Sequence, residues 1–186
     1  MNKKIVGVLA IQGDFQAHKV MLSRIGVETR EVRRAEDLKG VTHLIFPGGE
    51  STTIRKVAKS NGLWNKLAAF KGPVMGTCMG LILMAEELES RSEETLGMID
   101  MKIRRNAYGR QINSFTADGK LEFVEGPFEM VFIRAPKIIQ VGDGVEPIAW
   151  LGNEITGVKS GNKIAIAFHP ELSGSAEVHK YFVEMT

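Results

Sequence analysis

The sequence predicts an α/β protein, a three-layer sandwich in which a mixed, mainly parallel sheet is flanked by helices. Three observations carry that expectation. Ile5 to Ile11 is an unbroken apolar run of the kind a strand needs when both of its faces are covered. From there to about Leu88, strand-like and helix-like periodicities alternate, as in successive βαβ units. After Leu96 the texture changes to short β-like runs separated by Gly, Asp and Asn turns, which suggests antiparallel additions to a parallel core.

Taken in order, the first strand closes at Gln12-Gly13. A helix then begins near Asp14, with Ala17, Val20, Met21 and Ile25 at helical spacing until Gly26. Val27 to Val32 alternates like a second strand. His43 to Phe46 reads as a third, ending at Pro47-Gly48-Gly49, with Ser51 placed to cap a helix through about Ser60. Leu63 to Phe70 suits another helix, and Pro73-Val74-Met75 a short strand. Cys78 to Leu88 then carries Leu81, Met84, Ala85 and Leu88 on one helical face. Met98 to Ile103, Met130 to Ile133, Pro147 to Leu151, Ile155 to Val158 and Lys163 to Phe168 read as later strands. Val178, Tyr181, Phe182 and Met185 mark a closing amphipathic helix.

Composition narrows the functional classes. A chain of 186 residues without a repeat, low-complexity tract or long linker is read as one domain, 1–186. Its 24 basic and 22 acidic residues are interspersed, with no basic run beyond a pair, so neither nucleic acid nor an anionic membrane is expected as a partner. The basic start followed by Ile5 to Ile11 lacks a small-x-small cleavage site, and no stretch reaches the length of a membrane span. The single cysteine can form no internal disulfide, which points to a reducing, cytoplasmic setting.

Ligands of open α/β sheets collect where strands end, and three such places stand out. Gly76-Thr77-Cys78-Met79-Gly80 is a Gly-x-Cys-x-Gly that follows a strand and opens a helix. A nucleophile elbow needs that pattern, since a strained turn leaves no room for side chains two residues to either side and a helix N-terminus favours a thiolate. Phe168-His169-Pro170-Glu171 ends the strand from Lys163. If the chain stays extended through Pro170, His169 and Glu171 share a face, and the carboxylate orients the imidazole, giving a Cys-His-Glu triad. Pro47-Gly48-Gly49-Glu50-Ser51 is the third. Its glycine amides let backbone approach a ligand, and Gly48 or Gly49 with the Met79 N–H could form an oxyanion hole. His18, His43 and His179 fall in other elements and are read as structural or solvated. No histidine has metal-ligand spacing with Cys78, so no metal is expected.

With these segments placed, the chain resembles the glutaminase subunits (PdxT family) of the two-protein pyridoxal 5'-phosphate synthase, within the class I glutamine amidotransferases. The likeness runs from Gly7 to Gly13 through Pro47 to Thr53, Gly76 to Gly80 and His169 to Leu172. Arg105-Asn106-Ala107-Tyr108-Gly109-Arg110-Gln111 and Phe132-Ile133-Arg134-Ala135-Pro136 separate this family from glutaminases of histidine, purine or pyrimidine synthesis. The resemblance implies that Cys78 is the nucleophile, that His169 and Glu171 complete the triad, and that L-glutamine lies against Gly49, Glu50, Ser51, Arg105, Ile133 and Arg134. It also implies no cofactor, and a partner synthase subunit of the PdxS type that consumes the ammonia. Two departures are visible: Met79 stands where alanine is common, and Ala167 where a hydroxyl residue is usual. A glutaminase serving another acceptor synthase, such as that of the histidine pathway, and a non-catalytic regulatory protein on the same fold are the alternative readings.

Overall fold

The computed structural model describes residues 3–89, 93–105, 107 and 114–186. Most of the segment 105–111 that distinguishes the family by sequence therefore lies outside the described residues. The chain opens β1 (Ile5–Leu9), α1 (Phe15–Arg24), β2 (Glu28–Val32), β3 (His43–Phe46), α2 (Ser51–Ser60), α3 (Leu63–Ala68), β4 (Val74–Thr77) and α4 (Met79–Met84). It continues through β5 (Ala85–Leu88), β6 (Ile99–Arg104), β7 (Ser114–Leu121), β8 (Pro127–Ile133), β9 (Lys137–Val141), β10 (Glu146–Leu151), β11 (Glu154–Ser160) and β12 (Lys163–Ile166). Helix α5 (Glu177–Glu184) closes it.

Nine strands form one sheet in the order β2-β1-β3-β4-β12-β11-β10-β7-β8. The first five are parallel, and from β11 onward neighbours run antiparallel. This is the mixed sheet expected from the change of texture after Leu96. A second sheet, β5-β6-β9, was not foreseen. The inner parallel strands β3 and β4 are covered on both faces, with all four residues of each buried, whereas edge strand β2 carries charges. Helix α1 meets α5 through His18 and His179, and α2 packs on both α3 and α4. Phe46, Phe132, Phe168 and Phe182 are the largest fully buried side chains of the core.

Several elements depart from the sequence reading for identifiable reasons. Helix α4 stops at Met84 instead of Leu88, because Ala85 turns extended and Ala85 to Leu88 pairs in parallel with β6. Residues Met79 to Met84 are all buried, so their apolar character is that of a helix enclosed on every side, not of an amphipathic face. In α1 the inward face is His18, Met21 and Leu22, while Val20 stays 46% exposed. The Ser51 cap is corrected: Ser51 is the first helical residue, and Glu50 caps α2 by accepting from Thr52 N at 3.0 Å and Thr53 N at 2.7 Å. A short 3-10 turn at Pro170–Leu172 replaces the expected extension of the last strand.

Glycine is obligatory on both sides of the β4–α4 turn. A Cβ on Gly80 would sit 2.0 Å from the Phe46 carbonyl oxygen, and one on Gly76 would sit 2.5 Å from Met84 Sδ. Gly80→Ala is expected to destabilise the protein by about 1–3 kcal/mol or more in urea unfolding, since backbone must move. Gly174→Ala, where nothing lies within 4 Å, should stay within about 0.5 kcal/mol. Equal effects of the two would contradict the close-approach role.

Candidate active site

Strands β3, β4 and β12 are adjacent and parallel, with Phe46 paired to Gly76 and Thr77 to Ile166. Their carboxyl ends therefore deliver Pro47-Gly48-Gly49, Cys78 and His169 to one place, which is why three segments far apart in sequence converge. Cys78 sits between β4 and α4 at φ 50, ψ −102, a left-handed conformation that costs a non-glycine residue of order 1 kcal/mol or more. The turn is held by Cys78 N–H donating to the Ile166 carbonyl at 2.8 Å. It leaves the thiol 7% exposed, with Sγ 3.5 Å from the Ile133 carbonyl oxygen.

His169 and Glu171 come together, though not as an extended pair. The chain leaves β12, its His169 N–H donates to the Val131 carbonyl at 2.8 Å, and the 3-10 turn brings Glu171 Oε1 to 2.7 Å from His169 Nδ1. The carboxylate thus fixes the imidazole with Nε2 free to act; among the described residues that atom is buried with no conventional hydrogen-bond partner, and Cys78 is the group acting on His169. Burial is the strongest influence on His169 and opposes its charged form. The Cys78 sulfur and the Glu171 carboxylate together outweigh burial and push its pKa up to about 10. Glu171 is almost wholly buried, which by itself would raise its pKa. His18 and His169 nevertheless hold it below the usual carboxylate range. At neutral pH the site therefore carries an imidazolium flanked by sulfur and carboxylate.

A cleft of about 600 Å³, within the range of small-molecule sites, opens over this group. Gly48 to Ser51, Cys78, Met79, His169, Arg105, Ile133 and Arg134 all line it. Every residue expected at the site from sequence thus lines the cleft except Glu171, which sits behind His169. Gly48 packs so tightly on the imidazole that a Cβ would lie 2.4 Å from His169 Cε1. Met79, as first residue of α4, has an N–H with no acceptor inside its own helix, as an oxyanion donor requires.

Two of the polar candidates are already engaged. The Glu50 carboxylate is spent on the α2 N-terminus; the Thr53 hydroxyl and then the Thr52 and Thr53 amides hold its pKa down to about 2. Its backbone N–H donates to Gln12 Oε1 at 2.7 Å. Arg105 Nη1 lies 3.0 Å from Glu93 Oε2, an oxygen shared with Arg55. Ser51 Oγ, by contrast, is buried beside the cleft without a hydrogen-bond partner among the described residues. Arg134 has φ 47, a second strained residue at the cleft edge.

Sequence reading missed Gly13, Asp14, Ile82 and Ser114 as cleft residues. Asp14 brings a carboxylate within 4.8 Å of ligand atoms of His169 and Glu171. A metal there would draw on the same imidazole and carboxylate that the hydrogen bond uses, so the cluster is better read as part of the triad's electrostatic surroundings. The solvated alternative for the other histidines is also corrected. His18 and His179 are fully buried and joined at 3.0 Å, and buried His43 ties α5 to the sheet through the Met185 carbonyl at 3.1 Å. The only sequence signal for His18 was its place three residues before Met21, on the inward stripe.

A family model described as the SNO glutamine amidotransferase family matches residues 8–186. The pyridoxal 5'-phosphate synthase subunit PdxT of Thermococcus onnurineus is 47% identical over 96% of both chains. That of Thermus thermophilus is 45% identical over 97% of both. A crystal structure described as a glutamine amidotransferase superposes with a TM-score of 0.91 at 43% identity, covering 96% of this chain and 97% of that one. PurLQS from Thermotoga maritima shares the fold at a TM-score of 0.69 and 17% identity, covering 98% of each chain.

The buried histidines make stability depend on pH. Burial first, and then neighbouring His18, hold His179 down to about 3. A group whose folded pKa is depressed contributes fully above its unfolded value of 6.5 and loses that contribution as pH falls toward 3. Urea midpoints are expected to drop on acidification through this window by the equivalent of a few kcal/mol, and His179→Gln should flatten the slope. An unchanged slope in the variant would contradict a neutral, buried His179.

Proposed function

Because the chain belongs to the SNO glutamine amidotransferase family, we propose that it is the glutaminase subunit of a pyridoxal 5'-phosphate synthase, with Cys78 as nucleophile, His169 as proton carrier and Glu171 as the acid that orients it. It hydrolyses L-glutamine to L-glutamate and ammonia. The observation that carries the residue assignment is the His169 imidazole, fixed by Glu171 at 2.7 Å and lining one cleft with Cys78, the group that acts on it.

The Cys78 thiolate attacks the side-chain amide carbon of glutamine, forming a C–S bond and a tetrahedral oxyanion. Backbone N–H groups of Met79 and Gly48 receive that oxyanion, and such a donor is worth on the order of 10² to 10³ in turnover. His169 gives its proton to the departing nitrogen, and the C–N bond breaks to leave a glutamyl thioester and ammonia. Acylation takes away the interaction of the Cys78 sulfur with His169, one of the two influences that raise the pKa of the imidazole. Burial then weighs more heavily, the imidazole is held neutral more readily, and it serves as base for the water that releases glutamate. One residue thus acts as acid and then as base because its neighbour changes charge.

The α-carboxylate and ammonium of glutamine are held by Gly49, Glu50, Ser51, Arg105, Ile133 and Arg134. Arg134 and Arg105 suit the carboxylate, while the unpartnered hydroxyl of Ser51 is ready for a polar substrate group. The subunit works as a single domain in the cytoplasm, beside a synthase subunit of the PdxS type that takes up the ammonia. Among the described residues no helix is long and apolar enough to cross a membrane.

Assayed with the cognate synthase subunit, Cys78→Ala is expected to lose glutaminase activity to background. Glu171→Gln should lower kcat by on the order of 10² to 10⁴, as misorienting a base does in related triads. Retained turnover in Cys78→Ala would overturn the assignment.

A further inference from the structure

Glu171 places one oxygen on His169 and leaves the other, Oε2, buried with no conventional hydrogen bond among the described residues. A buried carboxylate oxygen without a donor is costly. The polar atom facing it is Nε2 of His18 on α1, at 3.4 Å, with both side chains fully buried. The same Nε2 lies 3.1 Å from Thr77 Oγ1, on the last residue before the elbow. The other ring nitrogen of His18 is 3.0 Å from His179 Nε2 on α5.

We propose that His18 is a positioning residue for the reaction: its Nε2–H, shared between Glu171 and Thr77, holds Glu171 in line with His169, and His179 fixes the tautomer that puts the hydrogen there. This rests on the role given to Glu171 above. The tautomer follows from the partners. Among the described residues His179 Nδ1 is buried with no partner, so a hydrogen on it would be a donor lost to water with nothing to receive it. Its hydrogen therefore sits on Nε2 and is donated to His18 Nδ1, which obliges His18 to carry its own hydrogen on Nε2. The opposite tautomer would strand that donor and also aim a lone pair of His18 at the carboxylate.

The charged and titratable groups around Glu171 are His169, His18 and Asp14, with His179 one step beyond. Burial is the largest influence on His18 and on His179 and keeps both below the ordinary histidine range, so both are neutral at physiological pH. A neutral donor suits the task. It binds the carboxylate without taking over the charge that Glu171 directs at His169. The chain His179, His18, Glu171, His169, Cys78 thereby joins both helices of one layer to the nucleophile.

The test compares His18→Ala and His18→Gln in the complete synthase complex, with ¹⁵N imidazole spectra of the unmodified protein as a second, activity-free measurement. His18→Ala should lower kcat by roughly ten- to a hundredfold, as loss of an outer orienting partner does elsewhere, with KM within about twofold. Its acidic and basic limbs in the pH profile of kcat should move closer together. His18→Gln, whose amide N–H can reach the same oxygen, should recover most of the loss. The spectra should show hydrogen on Nε2 of both His18 and His179. A loss confined to folding stability with kcat unchanged, no recovery in His18→Gln, or Nδ1–H tautomers in the spectra would each overturn the proposal. If the unmodified complex hydrolysed no glutamine, the glutaminase reading would fail, while the spectra would still decide the tautomers.

Discussion

A positively charged imidazole at His169, buried between a sulfur and a carboxylate, is the interaction on which the arrangement of the protein depends. Charges are expensive to bury unless paired, and pairing here requires Cys78 to be brought against a His169–Glu171 unit from a segment some ninety residues away. Adjacent parallel strands supply that placement. β4 presents Cys78, β12 presents His169, and the 2.8 Å bond from Cys78 N–H to the Ile166 carbonyl ties the two ends together. A second bond, from His169 N–H to the Val131 carbonyl, fastens the antiparallel half of the sheet to the same spot.

The costs of this geometry are local and visible. Cys78 and Arg134 adopt left-handed conformations, and Gly76, Gly80 and Gly48 are kept small by a sulfur, a carbonyl oxygen and the imidazole itself. The enclosed helix α4 and the capped helix α2 hold those turns in place. α2 carries its own anion, the Glu50 carboxylate, at the positive end of its dipole. The site is thus assembled from backbone as much as from side chains.

Much of this was legible in the sequence because the relevant constraints are short in range. Gly76-x-Cys78-x-Gly80 encodes a turn, and the apolar runs of β1, β3 and β4 encode burial on both faces. Residues His169 and Glu171 needed only two positions' separation to meet, although a 3-10 turn and not an extended strand brings them together. What stayed hidden was tertiary. The periodicity from Cys78 to Leu88 fits a long helix, and only pairing with β6 reveals that Ala85 leaves it. His18 and His179 looked like ordinary helix residues, since a contact between positions 161 apart has no local trace. Asp14 follows a strand and a glycine as other site residues do, yet a lone Gly13-Asp14 also reads as an ordinary turn, so nothing in the sequence separates it from one. β7 carries Asp118 and Gly119, poor strand formers, and its glycine is needed because Met130 and the Trp150 carbonyl crowd it.

The most direct test of the buried charge pair is an NMR titration of the His169 imidazole, with the Cys78 thiol free and then alkylated. With the thiol free, the ring should remain protonated until pH approaches about 10. After alkylation, with the interaction of the Cys78 sulfur removed and burial less opposed, the midpoint should fall. A midpoint near 6.5 that is indifferent to modification of Cys78 would contradict the account.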